Sequence, residues 1–68
     1  MTENKKATNN LLNALQVEYR REMNDITDHI ATGGCTSFED YQHCTGVIKG
    51  LAHAERALLD LNDRLERD

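Results

Sequence analysis

Residues 37–65 read SFEDYQHCTGVIKGLAHAERALLDLNDRL, and the pattern of this stretch decides the fold. Its apolar residues recur at alternating spacings of three and four, which places them on one face of an α-helix. The face is unbroken over three heptads and consists of Cys44, Val47, Leu51, Ala54, Leu58, Leu61 and Leu65. Ile48 and Leu59 lie beside this face and widen it beyond what one neighbouring helix covers. We therefore expect a long amphipathic helix that contacts its own chain and a further surface.

Two glycines stand in the middle of this predicted helix. Gly46 and Gly50 should each lower its stability by roughly 1 kcal/mol relative to alanine. Together with Ala54 they form a row at spacings of four, a ridge without side-chain bulk that admits another backbone closely. The ridge favours a close crossing with a helix of the same chain, and the alternative is a groove for a partner chain. Small residues at this spacing also join membrane helices, but Lys49 and His53 interrupt the row, so no transmembrane segment is expected.

A second amphipathic helix is predicted before this one. Its apolar residues also step by three and four along one face, namely Leu12, Leu15, Tyr19, Met23, Ile26 and Ile30. Gly33 follows where this helix should end, and glycine suits the left-handed position just past a helix C-terminus. Ser37 can cap the next helix, with Asp40 completing an imperfect capping box because aspartate is shorter than glutamate.

These signals predict an all-α fold, an antiparallel two-helix hairpin with helices at about residues 8–31 and 37–66. We expect residues 1–68 to form one helical-hairpin domain in which residues 1–6 are a flexible N-terminal arm. The chain has 68 residues and only three aromatic side chains, which limits the core it can build. Burial should therefore be completed by oligomerisation or by docking on a larger partner.

The charge of the chain argues against nucleic-acid binding. Twelve acidic and eight basic side chains give a formal net charge of −4, and the basic residues are scattered along the sequence. Direct binding to DNA or RNA is therefore not expected. The N-terminus is polar and lacks the apolar run of a signal peptide, so we expect a cytoplasmic protein without membrane association.

The cysteines and histidines are the residues from which a metal site would be built. Cys35 lies in the predicted turn and Cys44 two turns into the second helix, so their Cα atoms should be on the order of 10 Å apart, beyond disulfide reach. Free thiols are the expectation. His29, His43 and His53 form no i, i+4 ligand pair, and the chain has no Cys-x-x-Cys motif. We therefore expect no metal site and no cofactor.

Catalytic chemistry is not indicated either. Glu18 with Glu22, and Asp60 with Asp63, share helix faces, and paired carboxylates can act as acid and base. A hairpin of two helices offers no concave interior in which the pKa of a carboxyl would be raised. The prediction is a protein that is not an enzyme.

Two short runs of the sequence form a recognisable pattern. They are TGGCTSFEDY at residues 32–41, with its Phe-x-x-Tyr pattern, and GVIKGLA at residues 46–52, followed by Ala54-Glu55-Arg56. Through these runs, roughly residues 31–61 resemble small proteins encoded by tailed bacteriophages near the portal and capsid genes. The resemblance implies a non-enzymatic structural or assembly protein of the virion and supplies no catalytic residues.

The interaction surface predicted for such a protein is the apolar faces of both helices together with the Gly46, Gly50 and Ala54 groove. Its partner would be a portal or capsid subunit or a second copy of the chain, first in the host cytoplasm and then in the virion. The alternative function is a small phage-encoded inhibitor or regulator that binds a host enzyme. A dimeric four-helix bundle of the Rop type that recognises RNA is a third hypothesis, which the net charge disfavours.

Overall fold

The computed structural model describes residues 2–67, with side chains from residue 7 onward. Within these residues it contains two helices of 30 residues each, α1 (Thr2–Ala31) and α2 (Phe38–Arg67), and no strand. A helix of this length extends about 45 Å, and the molecule is 51 Å long and 15 Å by 11 Å across. The helices therefore lie side by side, which confirms the predicted antiparallel hairpin.

The helix bounds differ from the prediction mainly at the N-terminus. α1 begins at Thr2, six residues before the predicted start at residue 8, and α2 ends at Arg67, one residue later than predicted. The flexibility expected of residues 1–6 stays a prediction, and Met1 lies outside the described residues. Neither α1 nor α2 carries an apolar stretch sufficient to cross a bilayer.

The turn between the helices starts with a left-handed glycine. Gly33 has φ of 80°, and its N–H donates to the carbonyl of Ile30 over 3.2 Å, while the N–H of Gly34 donates to the carbonyl of His29 over 2.8 Å. This pair of bonds is a Schellman motif, which satisfies two carbonyl groups at the end of α1. The predicted role of Gly33 is confirmed.

The start of α2 is capped by Ser37. Its Oγ accepts a hydrogen bond from the N–H of Asp40 over 3.0 Å, as an N-cap side chain does. Asp40 Oδ2 accepts from the N–H of Thr36 over 3.2 Å, one residue earlier than the partner in a capping box. The predicted capping box is therefore replaced by a bond to the residue before the cap. Both bonds fix the turn against the first turn of α2.

The inward face of α1 follows a regular three-and-four spacing. It consists of the half-buried residues Asn9, Leu12, Gln16, Tyr19, Met23, Ile26 and Ile30. Five of these are the predicted apolar residues. Leu15 is 39 % exposed, so it lies at the flank of the helix interface, and Gln16 takes the inward position.

The inward face of α2 drifts along the helix. Cys44 and Leu58 are buried, and Val47, Ile48, Leu51, Ala54 and Leu65 are half-buried as predicted. Leu61 is 41 % exposed, and Asn62 takes its inward position. A straight α-helix turns about 20° short of two full turns in each heptad. Over three heptads this difference adds up to about 60°, so the residue that faces α1 is one position later than a strict heptad spacing predicts.

Candidate functional site

The hairpin leaves much of its apolar surface uncovered. Among the described residues, only Cys44, Glu55 and Leu58 are buried. Within residues 7–67, seven large hydrophobic side chains are exposed: Leu11, Leu15, Val17, Phe38, Tyr41, Leu59 and Leu61. Two helices cannot enclose a core in the way that three or four can, because each presents an apolar face wider than its one partner. The candidate functional site is therefore an exposed surface.

An ion pair sets the register of the two helices. Arg20 Nε lies 2.5 Å from Glu55 Oε2. The Glu55 side chain is 10 % exposed and the Arg20 side chain 63 %, so the carboxylate lies inside the helix interface and the guanidinium at its edge. Glu55 does not belong to the regular apolar spacing of the sequence, yet it is buried. The same drift of α2 that moves Leu61 outward brings Glu55 inward.

Leu15 and Leu61, at the side of the helix interface, lie at a similar height along the hairpin. Leu15 is five residues before Arg20, and Leu61 is six residues after Glu55. Because the helices are antiparallel, both leucines lie on the same side of the ion pair along the hairpin and at nearly the same distance from it. Each directly precedes an inward residue of its helix. In an antiparallel helix pair, these positions lie on the same side of the interface. With Leu11, one turn before Leu15 on α1, they form the surface that we call the leucine flank.

The glycine ridge does not pack against α1. Gly46 and Gly50 are exposed, and a Cβ built on either one would meet nothing within 4 Å. The predicted close crossing within the chain is therefore wrong. The reason is angular: Gly46 follows Cys44 by two residues, which turns it about 200° away from the inward side of α2. The groove for a partner chain stays a prediction.

The ridge continues toward the leucine flank, with Ala54 half-buried at the edge of the helix interface. Gly50 is followed at spacings of four, three and four by Ala54, Ala57 and Leu61, so these residues share one stripe of α2. We call the row of Gly46, Gly50, Ala54 and Ala57 the small-residue strip. Together with the leucine flank it makes one continuous surface along the side of the hairpin.

An aromatic pair occupies the first turn of α2. The rings of Phe38 and Tyr41 are stacked with centroids 6.4 Å apart, and both side chains are exposed. Exposed aromatic side chains are the type that anchors protein interfaces. This pair gives the turn end of the hairpin an apolar surface of its own.

The turn also brings together three side chains that could bind a metal. His29, Cys35 and Cys44 each offer one ligand atom, and these atoms lie within 4.8 Å of one another. The thiol of Cys35 donates a hydrogen bond to Cys44 Sγ over 3.9 Å. The two sulfur atoms lie this close because the turn folds Cys35 back against α2. Both cysteines are free thiols in this structure.

Gly34 allows the His29 side chain to reach this cluster. A Cβ built on Gly34 would overlap the imidazole ring of His29, so a residue with any side chain would move the ring. The sequence gives a signal for the turn, two consecutive glycines, but not for the position of the histidine. The spacing of His29, Cys35 and Cys44 matches no metal motif, because the turn geometry and not a helical repeat brings them together.

The thiol of Cys35 is held in its protonated form. Burial raises its pKa above the ordinary value, the hydrogen bond with Cys44 raises it further, and the nearby charges of Cys44 and Asp40 act in the same direction. Each of these effects disfavours a thiolate. In the absence of a bound cation, Cys35 is therefore a poor nucleophile at neutral pH.

Comparison with known proteins adds no assignment to this geometry. No protein-family model, no curated protein and no solved structure matches the chain. The resemblance of residues 31–61 to small proteins of tailed bacteriophages therefore stays a prediction.

Proposed function

We propose that this chain is a non-enzymatic protein–protein interaction module that completes its core against another helical surface. The observation that carries the proposal is the exposure of seven large hydrophobic side chains in a hairpin that buries three residues among those described. Apolar surface of this extent on a small chain marks an interaction site. The first partner that we propose is a second copy of the chain.

The small-residue strip supports this choice of partner. Gly46 and Gly50 add no side chain to α2, and the space beside them is open. Two helices that meet at such positions approach more closely than the usual 8–10 Å. Two copies placed strip to strip would also bring their leucine flanks together and form a four-helix arrangement, which encloses apolar residues that one hairpin leaves exposed.

Basic side chains beside the small-residue strip restrict which partner surfaces can approach it. Lys49 and His53 directly precede Gly50 and Ala54, and together with Arg56 they line a groove on the outer side of α2. The chain as a whole is acidic. A partner surface with carboxylates at its edge is therefore favoured over a basic one.

We further propose that the assembled hairpin serves as a minor structural or assembly protein of a bacteriophage virion, docked on a portal or capsid subunit. Support comes from the resemblance of residues 31–61 to phage proteins of that kind. The stacked pair of Phe38 and Tyr41 supplies an anchor for such docking, because it is exposed and lies away from the leucine flank.

Two measurements test these proposals separately. Sedimentation velocity over a range of concentrations tests self-association, and a chain that stays monomeric at all of them contradicts the first proposal. Fractionation of purified virions tests the second: a stoichiometric band of this chain supports a virion component. Its absence from virions, with expression soon after infection, would favour the inhibitor of a host enzyme.

A further inference from the structure

We propose that His29, Cys35 and Cys44 form a zinc-binding site at the turn end of the hairpin. This site is independent of the interaction surface, because none of its three residues belongs to the leucine flank or the small-residue strip. It joins the last turn of α1, the connection and the second turn of α2. An ion bound there would hold together the three segments that define the hairpin.

The distances fit one ion. Two sulfur ligands that each lie about 2.3 Å from a tetrahedral zinc ion are about 3.8 Å apart, and the two Sγ atoms here are separated by 3.9 Å. A disulfide would require about 2 Å between the same atoms. The imidazole of His29 offers its ligand atom within 4.8 Å of both sulfur atoms, so a small movement of one exposed ring completes a three-ligand set.

The ligand types select the metal. Thiolate and imidazole ligands favour zinc and disfavour magnesium and calcium, which prefer oxygen ligands. Two cysteines and one histidine leave the fourth tetrahedral position to a water molecule. Binding of Zn²⁺ replaces the thiol protons of Cys35 and Cys44 with two metal–sulfur bonds and releases two protons. The two thiolate charges then balance the charge of the ion.

The fold already positions these ligands. The carbonyl of His29 accepts the hydrogen bond from the N–H of Gly34, and the missing side chain of Gly34 leaves room for the His29 ring. Cys44 is held on the inward face of α2, where it is 9 % exposed. Gly34 is thus a positioning residue for His29, which gives a physical reason for the second glycine of the turn.

Metal titration of the reduced, full-length chain tests the site. Co²⁺ is the probe, because thiolate ligation gives near-ultraviolet charge-transfer absorption and tetrahedral geometry gives intense visible bands. We expect one ion per chain with both signals, and displacement of Co²⁺ by Zn²⁺. Cys35→Ala and Cys44→Ala should lose the charge-transfer signal or reduce it by half, and His29→Ala should bind at least tenfold more weakly. His53→Ala, an exposed histidine outside the cluster, should bind as the parent does.

A second pair of variants tests the positioning role. Gly34→Ala should weaken Co²⁺ binding by roughly 10–100-fold, as loss of support for a metal ligand does, and Gly46→Ala should leave it unchanged. Circular dichroism of each variant, with and without the ion, establishes that the helices persist. Binding without thiolate absorption, unchanged affinity in both cysteine variants, or half an ion per chain would overturn the proposal. Failure of self-association would leave it intact, because the site lies within one chain.

Discussion

Arg20 Nε lies 2.5 Å from Glu55 Oε2 and joins α1 to α2 at a point where the carboxylate is inside the helix interface and the guanidinium is at its edge. Glu55 is 7 % exposed, as buried as Leu58 one turn later. A carboxylate in such a position needs its partner, because an unpaired charge there loses hydration without compensation. The pair thus specifies which residues of the two helices meet.

Arg20→Ala should lower the free energy of unfolding by about 1–3 kcal/mol, because Glu55 then keeps its burial without its counter-charge. The exposure of Arg20 places the effect toward the lower end of that range. Arg21→Ala is the matched control, since its ion pair with Glu18 is exposed on α1, and it should change stability by less than about 0.5 kcal/mol. Urea unfolding followed by circular dichroism measures both. Equal effects would show that the Arg20–Glu55 pair does not join the helices.

Asn62→Leu should raise the stability of the hairpin by roughly 1 kcal/mol. Oδ1 of Asn62 is buried and accepts no hydrogen bond from the described residues, and leucine at this position adds apolar contact with α1 instead. Asn13→Leu, on the exposed side of α1, should stay within about 0.5 kcal/mol of the parent. The midpoints of thermal unfolding at one protein concentration compare the two. A lower midpoint for Asn62→Leu would mean that the amide is satisfied in solution.

Substitution of alanine at two glycines should have opposite effects. Gly33→Ala should destabilise by about 1–2 kcal/mol, because Gly33 has φ of 80° and an L-residue is strained there. Gly50→Ala should stabilise the single hairpin by up to about 1 kcal/mol, since its added Cβ meets nothing within 4 Å and alanine favours the helix. Unfolding at low protein concentration, where copies are separate, checks both signs. A destabilising Gly50→Ala under those conditions would contradict the exposed position of the strip.

Cys35 should react slowly with iodoacetamide in the folded, chelator-treated chain. Its raised pKa leaves less thiolate at any given pH below it, and burial contributes most, before Cys44 and Asp40. The rate should therefore rise at a higher pH than in the urea-denatured chain. Asp40→Asn removes one cause of the shift and should speed the reaction. Cleavage after Glu39 separates the two cysteines for mass spectrometry. Equal rates in folded and denatured chains would show that the thiol is not protected.

Local sequence signals predicted the two helices and the turn that joins them, but not the start of α1. The apolar spacing in both helices and Gly33 and Ser37 at the turn are properties of neighbouring residues, so they can be read along the chain. The exchange of Leu61 for Asn62 on the inward face could have been predicted from the helical period of 3.6 residues. The sequence pattern did not indicate this drift, because an apolar residue, Leu61, occupies the position that the regular spacing predicts to face inward.

The cluster of His29, Cys35 and Cys44 could not be predicted from spacing. His29, Cys35 and Cys44 come together because the Schellman motif reverses the chain and Gly34 makes room for a ring. That arrangement depends on φ and ψ angles in a six-residue connection, which no helical or strand repeat encodes.

The most direct test of the proposed interaction surface is sedimentation velocity of Gly50→Leu beside Ala52→Leu and the parent. Both variants place a leucine on an exposed part of α2, but only Gly50 belongs to the small-residue strip. We predict that all three chains keep their helical circular dichroism spectrum, that the parent and Ala52→Leu associate as concentration rises, and that Gly50→Leu remains monomeric. Association of Gly50→Leu at the same concentrations as the parent would contradict the account.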